Sequence, residues 1–558
     1  MKRRDIIVLS ALLTLVGSVY FSTLAVNHCE AEDSLRYLKT ISTGSVQEQF
    51  HPHHLLYHIV NFSLYHGIHA LGVEASVEAT AQSLNAAFGL LGLAVLFALM
   101  TRLGLSWFLR VISLLFLASS YGYWWYSVEC EVYIMPLPFI LLAFYMIAGM
   151  YTAFSSRLNH VLLAIFFALA VLFHQQHALL LGPILAGYGF TAMTKRDEIP
   201  AKTILARLVL FGCLSALFVA APYLYVIFLI HELSSVAEIT HWVLDYAASG
   251  MDEGWSITGL LKGILFAPRV IFGAHFVFCF NGVQRVLARA LPSKALGEEF
   301  FLVSGLSKAL VATLCSLTIG FVSSLSAVLV AAFRNRAQLQ HHMRSMPEAA
   351  RCFCFSGGTF VLIYAAFNVW WEPQNIEFWI APYLIAIAIL SVIVAPLGQT
   401  RWVRYTLLFG VGCLFAANLL GSVLLQQDHE KDYWYTFNRY AIEALRADDL
   451  VVSGVTKKGA SYISDGYVDF YSQAETFLIG KHIRECPEDA ETAALRDALR
   501  IRIAESNPRR LLFIMPHETG LTDAVGAAFL EDYLTDTAVI HRDDYQTVYH
   551  YTGRLNSD

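Results

Sequence analysis

The amino-acid sequence predicts a polytopic α-helical membrane protein that ends in a small soluble α/β domain. Of its 558 residues, 56% are hydrophobic and only 15% are charged, and the mean hydropathy is +0.53. Those values are too apolar for a soluble protein of ordinary composition. Long apolar runs recur up to residue 426, and charged residues become frequent beyond it. The nine cysteines include no C-x-x-C pair, so neither a zinc ribbon nor a disulfide framework is predicted.

The apolar runs number about eleven, and each approaches the roughly 20 residues that a helix needs to cross a bilayer. They are expected near 5–25, 80–101, 107–125, 132–154, 159–175, 178–194, 205–230, 301–333, 353–371, 376–396 and 403–426. With the N-terminus in the cytoplasm, every short basic loop falls on the inner side, as the positive-inside rule requires. An odd number of crossings then places the C-terminal segment outside. The first run is long and no small-residue cleavage site follows before Cys29, so we interpret it as an anchor.

The outer parts of the chain divide into two loops and one domain. The loops are expected at 26–79 and 231–300 within a transmembrane module that covers 1–426. Inside the second loop, the apolar stretch 257–290 contains several basic residues, so we interpret it as a re-entrant or interfacial helix pair. Residues 427–558 form the extracytoplasmic α/β domain. There, the apolar segments "DDLVVSG", "ETFLIG", "RRLLFIM" and "YQTVYHY" alternate with helical stretches such as "AETAALRDALRIRIAES".

Unusual polar residues collect on the predicted outer face. Ionisable groups are costly near lipid, so they usually line a cavity or a pathway and carry function. We therefore expect one site there. The plainer alternatives are interfacial anchoring for the tryptophan and tyrosine pairs and for some histidines, and a solvated loop for the acidic cluster. The segments concerned are "CEAEDSLRY", "FHPHHLLYHIVNFSLYHGIH", "YWWYSVECEVY", "FHQQHALL", "HWVLDY" and "WWEPQNIEFW".

The histidine-rich stretch could form a metal site, a phosphate site or an interfacial helix. His54 and His58 stand four residues apart, which places both imidazoles on one helical face, as zinc binding requires. However, Leu55 occupies the glutamate position of the H-E-x-x-H motif, and the segment from His51 to His53 has no standard ligand spacing. We therefore expect no dedicated metal site and no cofactor.

Several segments together resemble one enzyme family. A long helix is followed by an acidic loop with Asp33 and Ser34, then by "HPHHLLYH" and "QSLNAAFGLLGLAVLFALMTRLG". "HPHHLLY" is similar to a His-Pro-Pro-Gly-Tyr-Pro-Leu segment, although His53 and His54 replace the second proline and the glycine. "YWWYSVECEVYIMPLPFILLAFY" is similar to a Trp...Glu-Val-Tyr stretch, and "LFHQQHALLLGP" resembles a histidine-bearing loop. In this order, over the first six helices, the chain resembles the GT-C glycosyltransferases, specifically the O-mannosyltransferase-like branch.

The resemblance implies a membrane glycosyltransferase that takes a sugar from a polyprenyl-phosphate carrier and passes it to an acceptor on the non-cytoplasmic side. Such a reaction needs a carboxylate to accept the proton of the acceptor hydroxyl, and donors or cations for the phosphate. The family's first-loop aspartate matches Asp33, which we predict to be the base, with Glu32 as the nearest substitute. The predicted phosphate-binding residues are His51, His174, His177, Arg36, Lys262 and Arg269. The predicted sugar or acceptor residues are Glu129, Glu131, Tyr133, His54, Trp371, Glu372 and Glu377.

The expected partners are a polyprenyl-phosphate sugar, a glycan, lipid or protein acceptor, and the lipid bilayer, with no nucleic acid. The expected location is a bacterial inner membrane, with the C-terminal domain in the periplasm. One rival class is a transporter or lipid-handling protein without transferase chemistry, for which inverted repeats and midplane charges would be typical. The unusual residues here gather at one face instead. The other rival is a ligase or polymerase that moves whole glycans between lipid carriers.

Overall fold

The chain folds as a large helical part followed by a smaller mixed α/β part. The computed structural model describes residues 3–31, 33–248, 254–290, 297–486, 491–518 and 520–553. The helices up to residue 418 are α1 (Arg3–Ser22), α2 (Ser34–Thr43), α3 (Tyr57–Ala70), α4 (Val77–Arg102), α5 (Trp107–Ala118), α6 (Tyr121–Val128), α7 (Leu137–Thr152), α8 (Arg157–Phe173), α9 (Leu181–Thr194), α10 (Ala201–Tyr225), α11 (Val236–Ala248), α12 (Ile257–Phe266), α13 (Asn281–Ala290), α14 (Gly297–Leu302), α15 (Lys308–Arg334), α16 (Arg336–Ser345), α17 (Glu348–Trp370), α18 (Glu377–Ile393) and α19 (Arg401–Asn418).

Within the described residues, six helical segments are long and apolar enough to cross a membrane. They are Arg3–Ser22, Val77–Arg102, Ala201–Ile230, Lys308–Arg334, Glu348–Trp370 and Arg401–Gln427. Four shorter apolar helices accompany them: α5, α7, α8 and α18. A helix satisfies all its backbone hydrogen bonds internally, which a bilayer demands because it offers no water. Each of the eleven predicted segments overlaps at least one helix, so the prediction of a polytopic helical membrane protein is confirmed. The exact number of crossings stays a prediction.

Two predicted segments differ from the structure in where their helices begin and end. The run 107–125 is divided into α5 and α6, and at the break the Ser120 hydroxyl donates to the Phe116 carbonyl at 2.8 Å. Local hydrogen bonds of this kind compete with a continuous helix. The run 132–154 becomes helical only at Leu137, because Pro136 and Pro138 suit a first helical turn and not a helix interior. The preceding residues are therefore irregular backbone.

The described residues cluster into two compact units. The first comprises Met1–Ala25, Thr40–Leu287 and Gly305–Gln427. Its core is built mainly of apolar and aromatic side chains from α4 to α9, α17 and α18, and includes the fully buried rings of Trp124 and Trp125. The second unit comprises Val26–Lys39, Ala288–Ser304 and Asp428–Asp558. The segment that contains Asp33 thus belongs to the same unit as the C-terminal residues.

The C-terminal part of the second unit is built on a five-stranded sheet of order β2-β1-β3-β5-β4. Strands β1, β2 and β3 are parallel, and β5 is antiparallel to both β3 and β4. The strands are β1 (Asp449–Ser453), β2 (Glu475–Leu478), β3 (Arg510–Pro516), β4 (Thr537–Arg542) and β5 (Gln546–Tyr551). The helices are α20 (Tyr433–Phe437), α21 (Arg439–Glu443), α22 (Lys458–Tyr471), α23 (Ile479–Glu485), α24 (Thr492–Ser506) and α25 (Ala524–Leu534).

Alternation along the strands gives this sheet a core on each face. Leu450 and Val452 of β1 pack in one cluster, and Val451 between them packs in the other. This period of two is the expected geometry of a strand. The predicted α/β domain and its four apolar strands are confirmed, and "AETAALRDALRIRIAES" forms α24. The sequence did not predict β4, an edge strand whose middle residues are exposed.

Candidate functional site

The predicted site residues fall into the two units. Asp33 and Arg36 lie in the second unit, and Glu32 lies outside the described residues. The remaining predicted residues lie in the first unit, and all but Lys262 are at the ends of helices or in the segments between them. Each group is therefore described with its own neighbours.

Two tyrosine hydroxyls hold the carboxylate of Asp33. This residue directly precedes α2, and one of its oxygens accepts a hydrogen bond from the hydroxyl of Tyr462 in α22. The other oxygen accepts from the hydroxyl of Tyr37 at 3.2 Å, one turn further along α2. A carboxylate has about four acceptor positions, so two donors orient Asp33 and leave further positions to accept a proton. Asp33 is only half-buried.

Arg36 lies on the same tyrosine. Its guanidinium carbon is 3.9 Å from the centroid of the Tyr462 ring, and its Nη2 donates to the Tyr462 carbonyl at 2.9 Å. A guanidinium stacked on an aromatic face is a favourable cation–π contact. The side chain that we predicted to bind phosphate thus fixes the ring that holds Asp33, and its role toward phosphate stays a prediction.

A buried ion pair lies next to Tyr462 in α22. The Asp465 carboxylate is almost fully buried, and it accepts from Arg484 at 2.8 Å and from the Ser461 hydroxyl at 2.9 Å. Burial raises the pKa of Asp465 to about 6, and the neighbouring Arg484 opposes that rise. The Arg484 guanidinium also lies 5.7 Å from the Tyr462 ring centroid. The ring of Tyr462 is therefore in contact with two arginines.

The histidines of segments 51–58 and 174–177, here called the histidine group, lie close together in the first unit. The rings of His51 and His54 are stacked with centroids 4.3 Å apart, and His58 meets His54 edge-on at 4.9 Å. The backbone N–H of Leu56 donates to the Leu172 carbonyl at 3.0 Å, which fixes this segment beside the end of α8. A second bond, from the Gln175 N–H to the His53 carbonyl at 2.7 Å, brings the His174 loop to the same place.

These imidazoles are held in the neutral form. Burial lowers the pKa of His51, His58 and His174 to about 3, and repulsion from neighbouring histidines adds to the effect in each case. The pKa values of His54 and His177 are lowered for the same reasons. The Nδ1 atom of His174 accepts from the backbone N–H of Gln176 at 3.3 Å, which requires an unprotonated nitrogen there. An anion bound in this group would favour proton uptake.

Buried carboxylates lie in the irregular segment before α7. Glu129 and Glu131 are both buried, and the Asn85 amide donates to their two backbone carbonyls at 2.6 and 2.8 Å. The ring of Tyr133 lies 5.2 Å from that of His174, which connects this segment to the histidine group. Its ring also meets that of Tyr126 at 5.7 Å, and the Tyr126 hydroxyl donates to Glu377 at 3.0 Å.

The other predicted residues have their own local partners. The Arg269 guanidinium lies 3.2 Å from Nε2 of His275 and also donates to the Gly273 carbonyl. The ring of Trp371 is buried and stacks on Phe367, with centroids 6.1 Å apart. The Glu372 carboxylate accepts from Asn375 at 3.0 Å. Lys262 lies half-buried in α12.

A metal site needs several ligating side chains directed at one point. Among the residues that the structure describes, no three histidine, cysteine, aspartate or glutamate side chains are arranged to hold a metal ion. The stacked rings of His51 and His54 lie in nearly parallel planes. Two imidazoles in this arrangement do not point their nitrogens at one common centre.

The sequence did not indicate Tyr462, Asp465 or Arg484 as site residues. Tyr462 is separated from Asp33 by 429 positions along the chain. The segment "KGASYISDGYVDFY" reads as an ordinary amphipathic helix, and no local pattern marks its tyrosine. Only the tertiary fold of the second unit brings these side chains to Asp33.

Fold and site together define an integral membrane protein with polar and ionisable groups at the ends of its helices and a mixed α/β domain at its C-terminus. No protein-family model matches the sequence, and no curated protein matches it. The structure is similar to that of ArnT from Cupriavidus metallidurans bound to undecaprenyl phosphate, with 14% identity, 99% of each chain covered and a TM-score of 0.47. The apo state of the same protein gives 13% identity, the same coverage and a TM-score of 0.44.

A third similar structure is the oligosaccharyltransferase from Archaeoglobus fulgidus in complex with zinc and sulfate. The identity is 12% and the TM-score is 0.42, with 90% of this chain and 67% of that chain covered.

Proposed function

We propose that this chain is a membrane glycosyltransferase of the GT-C type. In the proposed reaction, a sugar moves from a polyprenyl-phosphate carrier to an acceptor on the non-cytoplasmic face. The observation that carries the proposal is the carboxylate of Asp33, which the hydroxyls of Tyr462 and Tyr37 orient from both sides. A surface carboxylate in a solvated loop would not need two aimed donors. A general base does need a fixed direction, because proton transfer depends on geometry.

The proposed chemistry is a displacement at the anomeric carbon. The acceptor oxygen forms a bond to that carbon while the bond from the carbon to the phosphate oxygen breaks, and its electron pair leaves with the polyprenyl phosphate. Asp33 takes the proton of the acceptor hydroxyl and becomes neutral. Its negative charge before that step also stabilises the positive charge that develops on the sugar ring. The Arg36 side chain acts here by holding the ring of Tyr462.

The histidine group of the first unit is proposed to bind the phosphate. Neutral imidazoles donate through one ring nitrogen, and a bound phosphate shifts their pKa values upward so that they become cationic donors. Charge grows on the phosphate as the sugar bond breaks, so such donors stabilise the transition state more than the ground state. The proposed phosphate residues of this unit are His51, His174, His177, Lys262 and Arg269, with His54 and His58 added by their packing against His51.

The carboxylates of the first unit are proposed to bind the sugar. The Tyr126 hydroxyl donates to the Glu377 carboxylate. Glu131 lies in the same region, since its charge helps to raise the pKa values of Tyr126 and Tyr57. Carboxylate oxygens accept hydrogen bonds from sugar hydroxyls, and the ring of Tyr133 offers an apolar face to a sugar. Glu129, Trp371 and Glu372 are proposed as outer contacts of the sugar or the acceptor.

The proposed partners and location follow from the same assignment. The donor is a polyprenyl-phosphate sugar, and the acceptor is a glycan, a lipid or a protein. A bacterial inner membrane with a cytoplasmic N-terminus and a periplasmic C-terminal domain is proposed from the distribution of basic residues. No divalent metal is needed for the displacement as written.

The experiment is a transfer assay on the full chain purified in detergent. Wild type and Asp33→Asn are incubated with radiolabelled polyprenyl-phosphate sugars and an extract of lipid and protein acceptors. We expect label to move with wild type alone, because the variant keeps the shape of Asp33 and loses only its proton acceptor. Equal turnover by the two proteins would refute the assignment of Asp33. Absence of transfer with every donor, from a folded wild type, would favour a transporter or a whole-glycan ligase.

A further inference from the structure

The C-terminal domain contains a cavity that the proposed transfer reaction does not use. Its volume is ≈ 360 Å³, near the lower end of the roughly 300–1,000 Å³ that is usual for small-molecule sites. Three separate elements contribute to it: helix α20, the loop after β3, and the turn between β4 and β5. Its lining residues are Tyr433, Phe437, His517, Glu518, Asp544 and Tyr545.

Aromatic rings form the apolar part of the lining. The rings of Tyr433 and Tyr545 stand nearly at right angles, at 88°, with centroids 6.3 Å apart. Phe437 is only 1% exposed, and its ring lies 6.2 Å from Tyr433 and 6.3 Å from Tyr545. Phe301 contacts both tyrosines, at 5.7 and 6.4 Å. Because the two tyrosines are only half-buried, parts of their rings remain accessible to a ligand.

The polar part of the lining is acidic. Glu518 and Asp544 are exposed carboxylates, and the six lining residues include no lysine and no arginine. The Tyr433 hydroxyl donates to Glu518 at 2.9 Å, which directs that carboxylate toward the rings. Burial and the nearby Glu518 raise the pKa of Tyr433, so its hydroxyl remains a donor at neutral pH. An anionic ligand would meet electrostatic repulsion in this cavity.

The backbone fixes Tyr545 before any ligand binds. The Asp543 carboxylate accepts from the N–H groups of Tyr545 and Gln546, both at 2.8 Å. The His517 N–H donates to the Tyr545 carbonyl at 2.7 Å, and the His517 ring bonds the Thr547 hydroxyl at 2.8 Å. A turn held at these points loses little conformational entropy when a ligand packs on its side chain.

We propose that this cavity is a binding site for a neutral or amine-bearing sugar ring. The apolar face of such a ring packs on accessible aromatic surface, and its hydroxyl or ammonium groups donate to Glu518 and Asp544. Carboxylates beside exposed aromatic rings suit this ligand and disfavour a phosphate or a uronic acid. The site would hold a unit of a glycan without acting on it, and it does not depend on the transferase activity.

The test is equilibrium binding to full-length protein in detergent, by saturation-transfer NMR, with glucose, glucosamine and glucuronic acid as probes. We expect saturation of glucose or glucosamine and none of glucuronic acid. Tyr545→Ala should weaken binding roughly tenfold, which corresponds to about 1.4 kcal/mol and is of the size expected for one aromatic contact. No saturation of any of the three sugars, or equal saturation of glucuronic acid, would overturn the proposal.

A matched pair of conservative variants distinguishes a local loss of sugar binding from a general loss of stability. Tyr433→Phe removes the hydroxyl bonded to Glu518 at the cavity, and Tyr435→Phe removes a hydroxyl bonded to Glu443 at 3.1 Å on the same short helix. Only Tyr433→Phe should reduce sugar binding, and equal loss in both would contradict the site. The readout uses no donor and no transfer, so a failure of the transferase proposal and a failure of this one are distinguishable.

Discussion

The contact between Tyr462 and Asp33 gives the sharpest test of the proposed mechanism. Tyr462→Phe removes one hydroxyl from the carboxylate and keeps the ring on which Arg36 lies. The second donor, Tyr37, remains 3.2 Å from the other oxygen. The substitution therefore loosens the orientation of Asp33 without changing its charge or the packing of α22.

The size of the effect follows from the strength of such a bond. A hydrogen bond to a charged group contributes about 1.5–3 kcal/mol, and a half-buried carboxylate with one donor left should lose the lower figure. A loss of about 1.4 kcal/mol of transition-state stabilisation lowers a rate constant tenfold. We expect kcat to fall roughly tenfold and the KM for the polyprenyl-phosphate donor to stay nearly constant, since the phosphate residues are unchanged.

The assay compares steady-state transfer by wild type, Tyr462→Phe and Tyr467→Phe. The third protein is a matched control, because Tyr467 also lies in α22 and donates to a carboxylate, Asp432, at 2.7 Å. Its bond is the more buried of the two, so a loss of stability should be at least as large there. If Tyr467→Phe reduces kcat as much as Tyr462→Phe, or if Tyr462→Phe leaves kcat unchanged, the positioning role of Tyr462 is refuted.

Three further predictions follow from the electrostatics of the two units. Burial raises the pKa of Asp465 to about 6. The stability that this shift gives to the fold is therefore complete below about pH 4 and is lost as the pH rises through 6. The free energy of unfolding should fall by about 3 kcal/mol in total over this range. Hydrogen exchange of the α22 amides, corrected for intrinsic exchange rates, should show this loss of stability with pH in wild type and not in Asp465→Asn. The same pH dependence in both proteins would contradict the prediction. Binding of a polyprenyl phosphate to the histidine group should take up about one proton and should tighten from pH 8 to pH 6. Calorimetric enthalpies that are equal in two buffers of different ionisation enthalpy would exclude this proton uptake. Treatment with EDTA should leave transfer unchanged, and inhibition that one divalent ion reverses would require a metal site.

The helical part of the fold could be predicted because its signal is local. A span needs about 20 apolar residues in succession, and such runs are visible in any window of the sequence. The strands β1, β2, β3 and β5 were found for a similar reason, since they are short apolar runs between polar segments. The strand β4 has a shorter apolar run of three residues, Ala538 to Ile540, and these residues are exposed at the edge of the sheet. Its existence depends on pairing with β5.

The composition of the histidine stretch predicted a site but did not show which of its histidines belong to that site. Its composition indicated a polar site, but the four histidines from His51 to His58 and the two at His66 and His69 look alike in the sequence. In the structure His54 and His58 are buried, whereas His66 and His69 lie exposed on the later turns of α3. The difference arises from packing against the end of α8, a contact between distant parts of the chain. Periodicity alone could not assign it.

On the proposed assignment of Asp33, the C-terminal domain takes part in catalysis and is not merely an appended module. The segment that carries Asp33 is attached to that domain at several points along its length. Lys39 donates to the Asp469 carbonyl at 3.0 Å, and the buried Asp432 accepts from the preceding part of the segment. The contacts to Asp432 come from the N–H of His28 and the thiol of Cys29, both at 3.0 Å.

These attachments link the orientation of the Asp33 carboxylate to the C-terminal domain. The orientation of Asp33 depends on the fold of residues 428–558, because the hydroxyl of Tyr462 belongs to α22 of that domain. A substitution that removes the Tyr462 hydroxyl should therefore reduce kcat even though it touches neither donor nor acceptor. The histidines proposed to bind the phosphate belong to the other unit, so the same substitution should leave donor binding intact. This separation of binding from proton transfer is the physical reason to expect that kcat and KM respond to different parts of the chain.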